Sequence, residues 1–170
     1  GGIGTSSRQL PKDKGSYMLG VLVQTNFGRR PQLRIAGAPV GREIPDHPAY
    51  GKNDDGSIIV IIATDAPMLP HQLKRVAKRA TLALGRLGSI SSDSSGDIFL
   101  AFSAANLDTW SNFKNMNVEA LAQDNLDAVF EAAIEATEEA VVNALVAAQT
   151  MTGVDSRRVI ALPHDRLQEV

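Results

Sequence analysis

The residues with the clearest chemical potential lie at a junction between Gly56 and Ser57. A polar, turn-forming stretch (Lys52 to Gly56) precedes Ser57, and a run of β-branched residues follows it directly. If the Gly56–Ser57 peptide bond were cut, Ser57 would begin a strand and carry both a hydroxyl and a free α-amine. An α-amine has an ordinary pKa of about 7.7–8.0, so it can take the hydroxyl proton near neutral pH and activate the oxygen as a nucleophile. The alternative interpretation is an ordinary boundary between a loop and a strand.

Ser95 and Asp97 form a second candidate pair at the start of a predicted strand. Residues two apart in a strand point to the same face, so both side chains can reach one site. A serine hydroxyl can relay protons to the Ser57 amine, and a carboxylate can orient that amine or tune its basicity. The alternative is a capped turn, because serine and aspartate are common turn residues.

Asn26 is the third candidate, because it ends an apolar segment just before Phe27-Gly28. A side-chain amide can donate a hydrogen bond to the oxyanion that develops during attack on a carbonyl. The alternative is a turn asparagine in the left-handed conformation.

The other polar residues give weaker indications of a functional site. The chain has no cysteine, which excludes disulfides and thiolate chemistry, and its three histidines lack metal-ligand spacing (His47, His71 and His164). We predict solvated faces for the basic residues around Lys74 and Arg79 and for Glu138 and Glu139, a turn role for Asp65, and a flexible or tightly packed loop at residues 1–4. A net charge of −2 argues against a nucleic-acid partner, and no apolar run approaches the roughly 18 residues of a membrane span.

The elements that must position these residues follow from hydrophobic periodicity. The 170 residues, 44% hydrophobic and 21% charged, suit a domain with a packed core of mixed α/β layers. The pattern predicts strands at 16–24, 32–35, 57–64, 98–104 and 159–162, with the 57–64 strand central and buried on both faces. It predicts one helix from Pro70 to Gly88, a long helix from about Val118 to Thr150 and a last turn after Pro163. Residues 37–56 are predicted to form an exposed loop.

Several segments resemble one known family in the same order along the chain. They are GGIGTSSR at 1–8, VQTNFG at 23–28, SIIVIIATDAPMLPHQLKR at 57–75 and SGDIFLAFS at 95–103. Together they resemble the DmpA-type aminopeptidases, also called L-aminopeptidase/D-esterases or β-peptidyl aminopeptidases. The resemblance runs from Gly1 to about Gly153.

This resemblance implies a self-processing serine aminopeptidase. Residues 1–56 would be the end of its large subunit and residues 57–170 its small subunit, both parts of one domain. The Ser57 hydroxyl would attack the Gly56 carbonyl, give an ester by an N-to-O acyl shift, and later attack substrates to form an acyl-enzyme. Glycine suits position 56 because it lacks a Cβ and tolerates the strained geometry of such an attack. Ser95, Asp97 and Asn26 would complete the site.

The family also implies an α/β fold, a four-layer αββα sandwich of the N-terminal-nucleophile-hydrolase type, with part of the large subunit absent from this chain. It implies short peptide, amide or ester substrates, no metal or organic cofactor, and a homo-oligomer, a tetramer. A missing N-terminal portion leaves a cytoplasmic or periplasmic location equally open.

Two other functions remain open from the residues. One is a related amide hydrolase or acyltransferase, similar to pantetheine hydrolases or ornithine acetyltransferases; the latter usually carry threonine as the nucleophile, and this chain has Ser57. The other is a non-catalytic member that serves assembly or binding. An intact Gly56–Ser57 bond in the mature protein would favour that second function.

Overall fold

The computed structural model describes residues 1–45, 56–107 and 117–170. Four strands form one mixed sheet in the spatial order β1 (Gly2–Gln9), β2 (Met18–Asn26), β3 (Ser57–Thr64) and β4 (Ile98–Ser103). The first three strands are antiparallel neighbours, and β4 runs parallel to β3. The helices are α1 (Val40–Glu43), α2 (Pro70–Ala77), α3 (Ala80–Arg86), α4 (Leu126–Ala147) and α5 (His164–Glu169), and a small hairpin pairs β5 (Met151–Thr152) with β6 (Arg158–Val159). Short 3-10 turns lie at Lys12–Lys14, Arg30–Gln32, Gln123–Asn125 and Val154–Ser156.

One face of the sheet carries the core. Successive side chains of a strand point to opposite faces, and the helix-facing positions of β2 and β3 are apolar and buried (Leu19, Val21, Val23, Ile58, Val60 and Ile62). The 22-residue α4 packs across β1 and β2, whereas α2 packs on β4. Small side chains on α4, including Ala133, Ala136 and Ala140, let this helix approach the sheet closely.

The other face of the sheet has no helix among the described residues. Its central apolar side chains are exposed: 38% for Ile59, 58% for Ile98 and 46% for Phe102, with Leu22 and Leu100 beside them. The sequence predicted that β3 is buried on both faces, which is wrong for the described residues, because only the even-numbered residues of β3 are buried. A continuous apolar face of this kind is typical of a surface that packs on another layer. We call it the open face.

The segment predicted as one helix from Pro70 to Gly88 is two helices. The ladder tightens at the end of α2, where the Arg79 N–H donates to the Val76 carbonyl at 2.8 Å. The Thr81 hydroxyl donates to the Lys78 carbonyl at 2.7 Å and caps the turn. At this break the Arg79 guanidinium stacks on the ring of Phe130, 3.9 Å from its centroid.

The long helix begins at Leu126, later than the predicted Val118. Val118 itself is 49% exposed, and residues 118–122 follow a non-helical path that side-chain and backbone contacts hold in place. The Leu121 N–H donates to the Pro67 carbonyl at 2.6 Å, and the buried Gln72 amide donates to the Leu121 carbonyl at 2.8 Å. These tertiary hydrogen bonds replace the helical ones that periodicity predicted.

The remaining elements agree with the sequence in part. The predicted strand at 16–24 is β2, and the turn after Pro163 is α5. The predicted strand at 32–35 is absent, because only an isolated bridge joins Ile35 and Ala38. The predicted strand at 159–162 is reduced to β6, and part of the predicted loop at 37–56 is helical in α1, while residues 46–55 of it lie outside the described residues.

Residues 1–4 open the edge strand β1 instead of forming the predicted loop. The expected tight packing is present at Gly4, where a Cβ would lie 1.9 Å from the Ala140 carbonyl oxygen and 2.7 Å from the Ala144 nitrogen. Glycine at this position therefore allows β1 to lie directly against α4.

Replacing Gly4 with alanine should destabilise the protein by about 1–3 kcal/mol, because a rigid strand and a rigid helix backbone must separate to admit the methyl group. Urea denaturation measures this change in the free energy of unfolding. Gly85→Ala is the matched control, because its Cβ meets no atom within 4 Å on the exposed side of α3. That control should be neutral or slightly stabilising, since alanine favours a helix over glycine. Equal stability of the two variants would contradict the close packing of β1 on α4.

Candidate active site

Ser57 is the first residue of β3 and lies directly opposite Asn26, the last residue of β2. The Asp65 N–H donates to the Met18 carbonyl at 3.3 Å, and this pair continues the register of β2 and β3. Hydrogen-bonded and non-bonded pairs alternate in an antiparallel ladder, so Asn26 and Ser57 also form a hydrogen-bonded pair. The Ser57 nitrogen therefore points at the Asn26 carbonyl, and an α-amine at this nitrogen would be held there.

The Ser57 side chain lies on the open face of the sheet. Its Oγ accepts a hydrogen bond from the Gly96 N–H at 2.9 Å. This contact fixes the oxygen while leaving its own proton free to pass to a base. The Asn26 side chain is on the same face, and side chains of directly opposed residues have Cβ atoms about 4.5–5.5 Å apart. The Asn26 side chain therefore starts within reach of the Ser57 hydroxyl.

Asp97 holds the start of β3 from the side of β4. Its Oδ1 accepts the Ile58 N–H at 3.1 Å and the Ser95 hydroxyl at 2.7 Å. Asp97 comes directly before Ile98, and Ile58 comes directly before Ile59. The Asp97 carboxylate therefore extends the parallel pairing of Ile59 with Ile98 by one residue. The carboxylate thereby fixes the backbone next to Ser57.

All four predicted site residues therefore meet at one end of the sheet, but their roles differ in geometry. Ser57 and Asn26 present their side chains on the open face, whereas Asp97 bonds the backbone of the next residue, Ile58. The expected relay from Ser95 to the Ser57 amine is not the contact observed, since the Ser95 hydroxyl donates to Asp97. A carboxylate accepts strong hydrogen bonds from hydroxyl groups, which explains why the Ser95 hydroxyl donates to Asp97.

Gly56 passes very close to the end of β2. A Cβ on Gly56 would lie 2.3 Å from the Asn26 carbonyl oxygen and 3.0 Å from the Phe27 Cα. The sequence predicted that position 56 needs a residue without a Cβ. The close approach of the two backbone segments gives the physical reason. Any larger residue at position 56 must shift the backbone there and so move the carbonyl group of residue 56 relative to the Ser57 side chain.

If the 56–57 bond is cut as the resemblance implies, replacing Gly56 with alanine should slow that cleavage by about 10²-fold, because misplacing a reacting group by about 1 Å has an effect of this size. The measurement is the fraction of cut chain over time by intact mass. The Gly85→Ala control should be cut at the wild-type rate, and an equal rate in Gly56→Ala would show that this close approach does not matter.

The other groups weighed from the sequence lie elsewhere. Asp65 is at the far end of β3, where its Oδ1 accepts the Met18 N–H at 2.7 Å, in agreement with its predicted turn role. Glu138 pairs with Arg86 at 3.2 Å, and Glu139 pairs with Arg8, so both occupy the solvated helix face that was predicted. The Glu139 and Glu135 carboxylates raise the pKa of the Arg8 guanidinium, with the Glu139 hydrogen bond as the main cause.

The histidines do not gather around a site. The His164 Nε2 lies 3.0 Å from the Val146 carbonyl oxygen, and His71 is an exposed residue of α2. His47 lies outside the described residues. Within residues 1–45, 56–107 and 117–170, no group of three potential metal ligands comes together. No helix of these same ranges is long and apolar enough to cross a membrane.

Sequence reasoning missed Gly96 and the Ile58 N–H, because both act through the backbone. The position of Gly96 between Ser95 and Asp97 was the available signal, since a residue between two site residues must also lie near the site. Its distance from Ser57 depends on the pairing of β3 with β4, which residue types alone do not specify.

Comparison with known proteins places these features in a family. A sequence profile of Peptidase family S58 matches residues 1–159. The beta-peptidyl aminopeptidase BapA of Sphingosinicella microcystinivorans is 52% identical over 185 residues, which cover 100% of this chain and 47% of that protein. The BapA protein of Sphingosinicella xenopeptidilytica is 41% identical over 184 residues, covering 100% of this chain and 46% of that protein. The chain thus spans about half the length of the curated relatives it matches.

A solved structure gives the fold. The L-aminopeptidase D-Ala-esterase/amidase of Ochrobactrum anthropi, described as a prototype of the serine aminopeptidases and a variant of the Ntn hydrolase fold, superposes with a TM-score of 0.90. It is 44% identical and covers 99% of this chain and 47% of its own. The predicted α/β fold of the N-terminal-nucleophile type is confirmed. From its profile match, its relatives and its fold, this chain belongs to peptidase family S58.

Proposed function

We propose that the chain is part of a self-processing serine aminopeptidase with Ser57 as its nucleophile. The observation that carries this proposal is the position of Ser57 at the first residue of a strand, with its Oγ on the open face and fixed by the Gly96 N–H at 2.9 Å. A hydroxyl and a backbone nitrogen on the same residue, both held in place, are the two groups that an N-terminal nucleophile needs.

The first reaction is cleavage of the chain's own Gly56–Ser57 bond. The Ser57 Oγ bonds to the Gly56 carbonyl carbon and loses its proton, and the carbon–nitrogen bond breaks. The proton passes to the Ser57 nitrogen, which leaves an ester to Gly56 and a new α-amine. Water then hydrolyses the ester, which gives a Gly56 carboxylate and restores the Ser57 hydroxyl. Residues 1–56 become the end of the large subunit and residues 57–170 the small subunit.

Both products of this cleavage stay in one domain. β1 and β2 come from before the cut, and β3, β4 and α4 come from after it. These elements share one sheet and one hydrophobic core. The ladder between β2 and β3 therefore holds the two chains together without a covalent link.

The second reaction is hydrolysis of a substrate. The α-amine of Ser57, held by the Asn26 carbonyl, takes the proton from Oγ as this oxygen attacks the substrate carbonyl. The Asn26 side-chain amide donates to the oxyanion, and the proton then passes to the leaving amine or alcohol. Water hydrolyses the resulting acyl-enzyme. Asp97 and Ser95 act as positioning residues, since they hold the Ile58 N–H that follows the nucleophile.

The substrates proposed are short peptides, amides or esters with a free N-terminal amine, including β-aminoacyl groups. The names of the relatives, beta-peptidyl aminopeptidase and L-aminopeptidase D-Ala-esterase/amidase, support this range. The open face requires a second layer, and we propose that the rest of the large subunit supplies it as the second sheet of an αββα sandwich. We further propose a homo-oligomer, a tetramer, for the mature enzyme.

Intact mass and N-terminal sequencing of the purified full-length protein test this function. Two species are expected, one of them beginning Ser-Ile-Ile-Val-Ile. The same sample should release the amine from aminoacyl amides without added metal. A single uncut species with no such hydrolysis would overturn the proposal and favour a binding or assembly role. Transfer of the acyl group to an added amine, with little hydrolysis, would favour an acyltransferase.

A further inference from the structure

Gly96 is in direct contact with the predicted nucleophile. Its N–H donates to the Ser57 Oγ at 2.9 Å, and the two residues lie two positions before the paired Ile98 and Ile59. Ser57 lies two residues before Ile59 in β3 and shares its face. A Cβ on Gly96 would lie 3.5 Å from the Ser57 Oγ, so the Gly96 Cα borders the same open face. A group that bonds to the Ser57 Oγ therefore lies near the Gly96 Cα.

Among the described residues outside its own chain neighbours, only the nucleophile borders the space above Gly96. A Cβ built on Gly96 would lie 3.5 Å from the Ser57 Oγ and would meet no other described atom within 4 Å. Its φ lies outside the left-handed region, so the backbone does not require glycine. Alanine therefore fits among the described residues, and these residues do not themselves require glycine at this position.

This space lies beside the atom to which an acyl group must bond. In an acyl-enzyme the carbonyl carbon is attached to the Ser57 Oγ, and its substituents extend into the volume around that oxygen. A Cβ at 3.5 Å from Oγ would take part of this volume. Small acyl groups can turn away from a single methyl group, whereas larger ones have fewer positions open to them.

We propose that Gly96 is a specificity-determining residue whose bare Cα provides room for the acyl group on Ser57, including the additional main-chain methylene of a β-aminoacyl group. This inference rests on the proposed function, because it assumes acylation of Ser57. The absence of a side chain at Gly96 determines how large an acyl group fits on Ser57. This effect is independent of the Gly96 N–H, which an alanine at this position retains.

The test compares full-length wild type, Gly96→Ala and the control Gly85→Ala on three amides with one leaving group. The acyl groups are glycyl, L-alanyl and β-homoalanyl, which increase in total size, and β-homoalanyl differs from L-alanyl by one additional main-chain methylene. For Gly96→Ala, the ratio of kcat/KM for β-homoalanyl over glycyl should fall by about 10-fold or more, since one methylene is worth about 10–200-fold in a fitted pocket. Gly85→Ala should keep the wild-type ratio. If Gly96→Ala is purified uncut, the two parts are produced together as separate chains, the second beginning at Ser57, and the same ratio is measured.

The outcomes separate the two ideas. An inactive wild type on all three amides overturns the proposed function itself. An active wild type, together with a Gly96→Ala variant that loses the same factor on every amide or none at all, overturns only the role of Gly96 in selecting acyl groups. A selective loss for β-homoalanyl supports it.

Discussion

Replacing Ser57 with alanine should leave the Gly56–Ser57 bond uncut and lower hydrolysis of aminoacyl amides by at least about 10³-fold, because the variant has no oxygen to form the acyl bond. The fold should persist, since Ser57 is a half-buried residue at the end of a strand and its hydroxyl accepts only the Gly96 N–H. Intact mass measures the first effect, and steady-state kinetics on an aminoacyl amide measures the second.

The control for this variant is Ser7→Ala. Ser7 is an exposed serine of β1 that pairs with Gly20, far from the end of the sheet where Asn26 faces Ser57. It should be cut and should hydrolyse amides like wild type. A Ser57→Ala protein that is still cut between residues 56 and 57 would show that another group, or a contaminating protease, performs the cleavage.

The second large effect is expected at Asp97. Asp97→Ala removes the acceptor of both the Ile58 N–H and the Ser95 hydroxyl, so the backbone beside Ser57 is no longer fixed. We expect self-cleavage and kcat/KM to fall by about 10²-fold, the size of loss produced when a reacting group is slightly misplaced. KM should change less than kcat, because Asp97 holds the nucleophile and does not itself contact the open face.

Asp97→Asn separates position from charge. Its amide oxygen can still accept both hydrogen bonds, so it should be cut faster than Asp97→Ala and recover most of the kcat. Wild-type kinetics in Asp97→Ala would remove Asp97 from the site. An Asn variant as slow as the Ala variant would show that the negative charge matters beyond the two hydrogen bonds.

The helices show where local pattern was sufficient and where it was not. The apolar period around Pro70 and through α4 correctly predicted helices there, because burial of one helix face requires that spacing. It could not place the break at Arg79 or the start at Leu126. Both involve partners distant in sequence, namely the Phe130 ring for Arg79 and the Pro67 carbonyl for the Leu121 N–H before α4.

The strands show the same division. Continuous β-branched residues correctly predicted that β3 is central, between β2 and β4. The prediction of burial on both faces was wrong for the described residues, since Ile59 and its neighbours form an open face. Strand β1 was missed because glycine and serine at 1–7 carry little β-propensity, and the need for glycine at position 4 becomes visible only in its close contact with α4.

The sequence by itself determined that Ser57 begins a strand, because the change from turn residues to β-branched residues is a local signal that needs no partner. Its segments in order also resembled one family, and they led to Ser95, Asp97 and Asn26 as candidates. Only the tertiary structure decided what these residues touch: Asn26 opposite Ser57, Asp97 on the Ile58 N–H, and Gly96 on the Ser57 Oγ. The physical reason is strand register. Alternation of apolar residues fixes which face a side chain takes, but the choice of opposing residue depends on how whole strands and helices pack together.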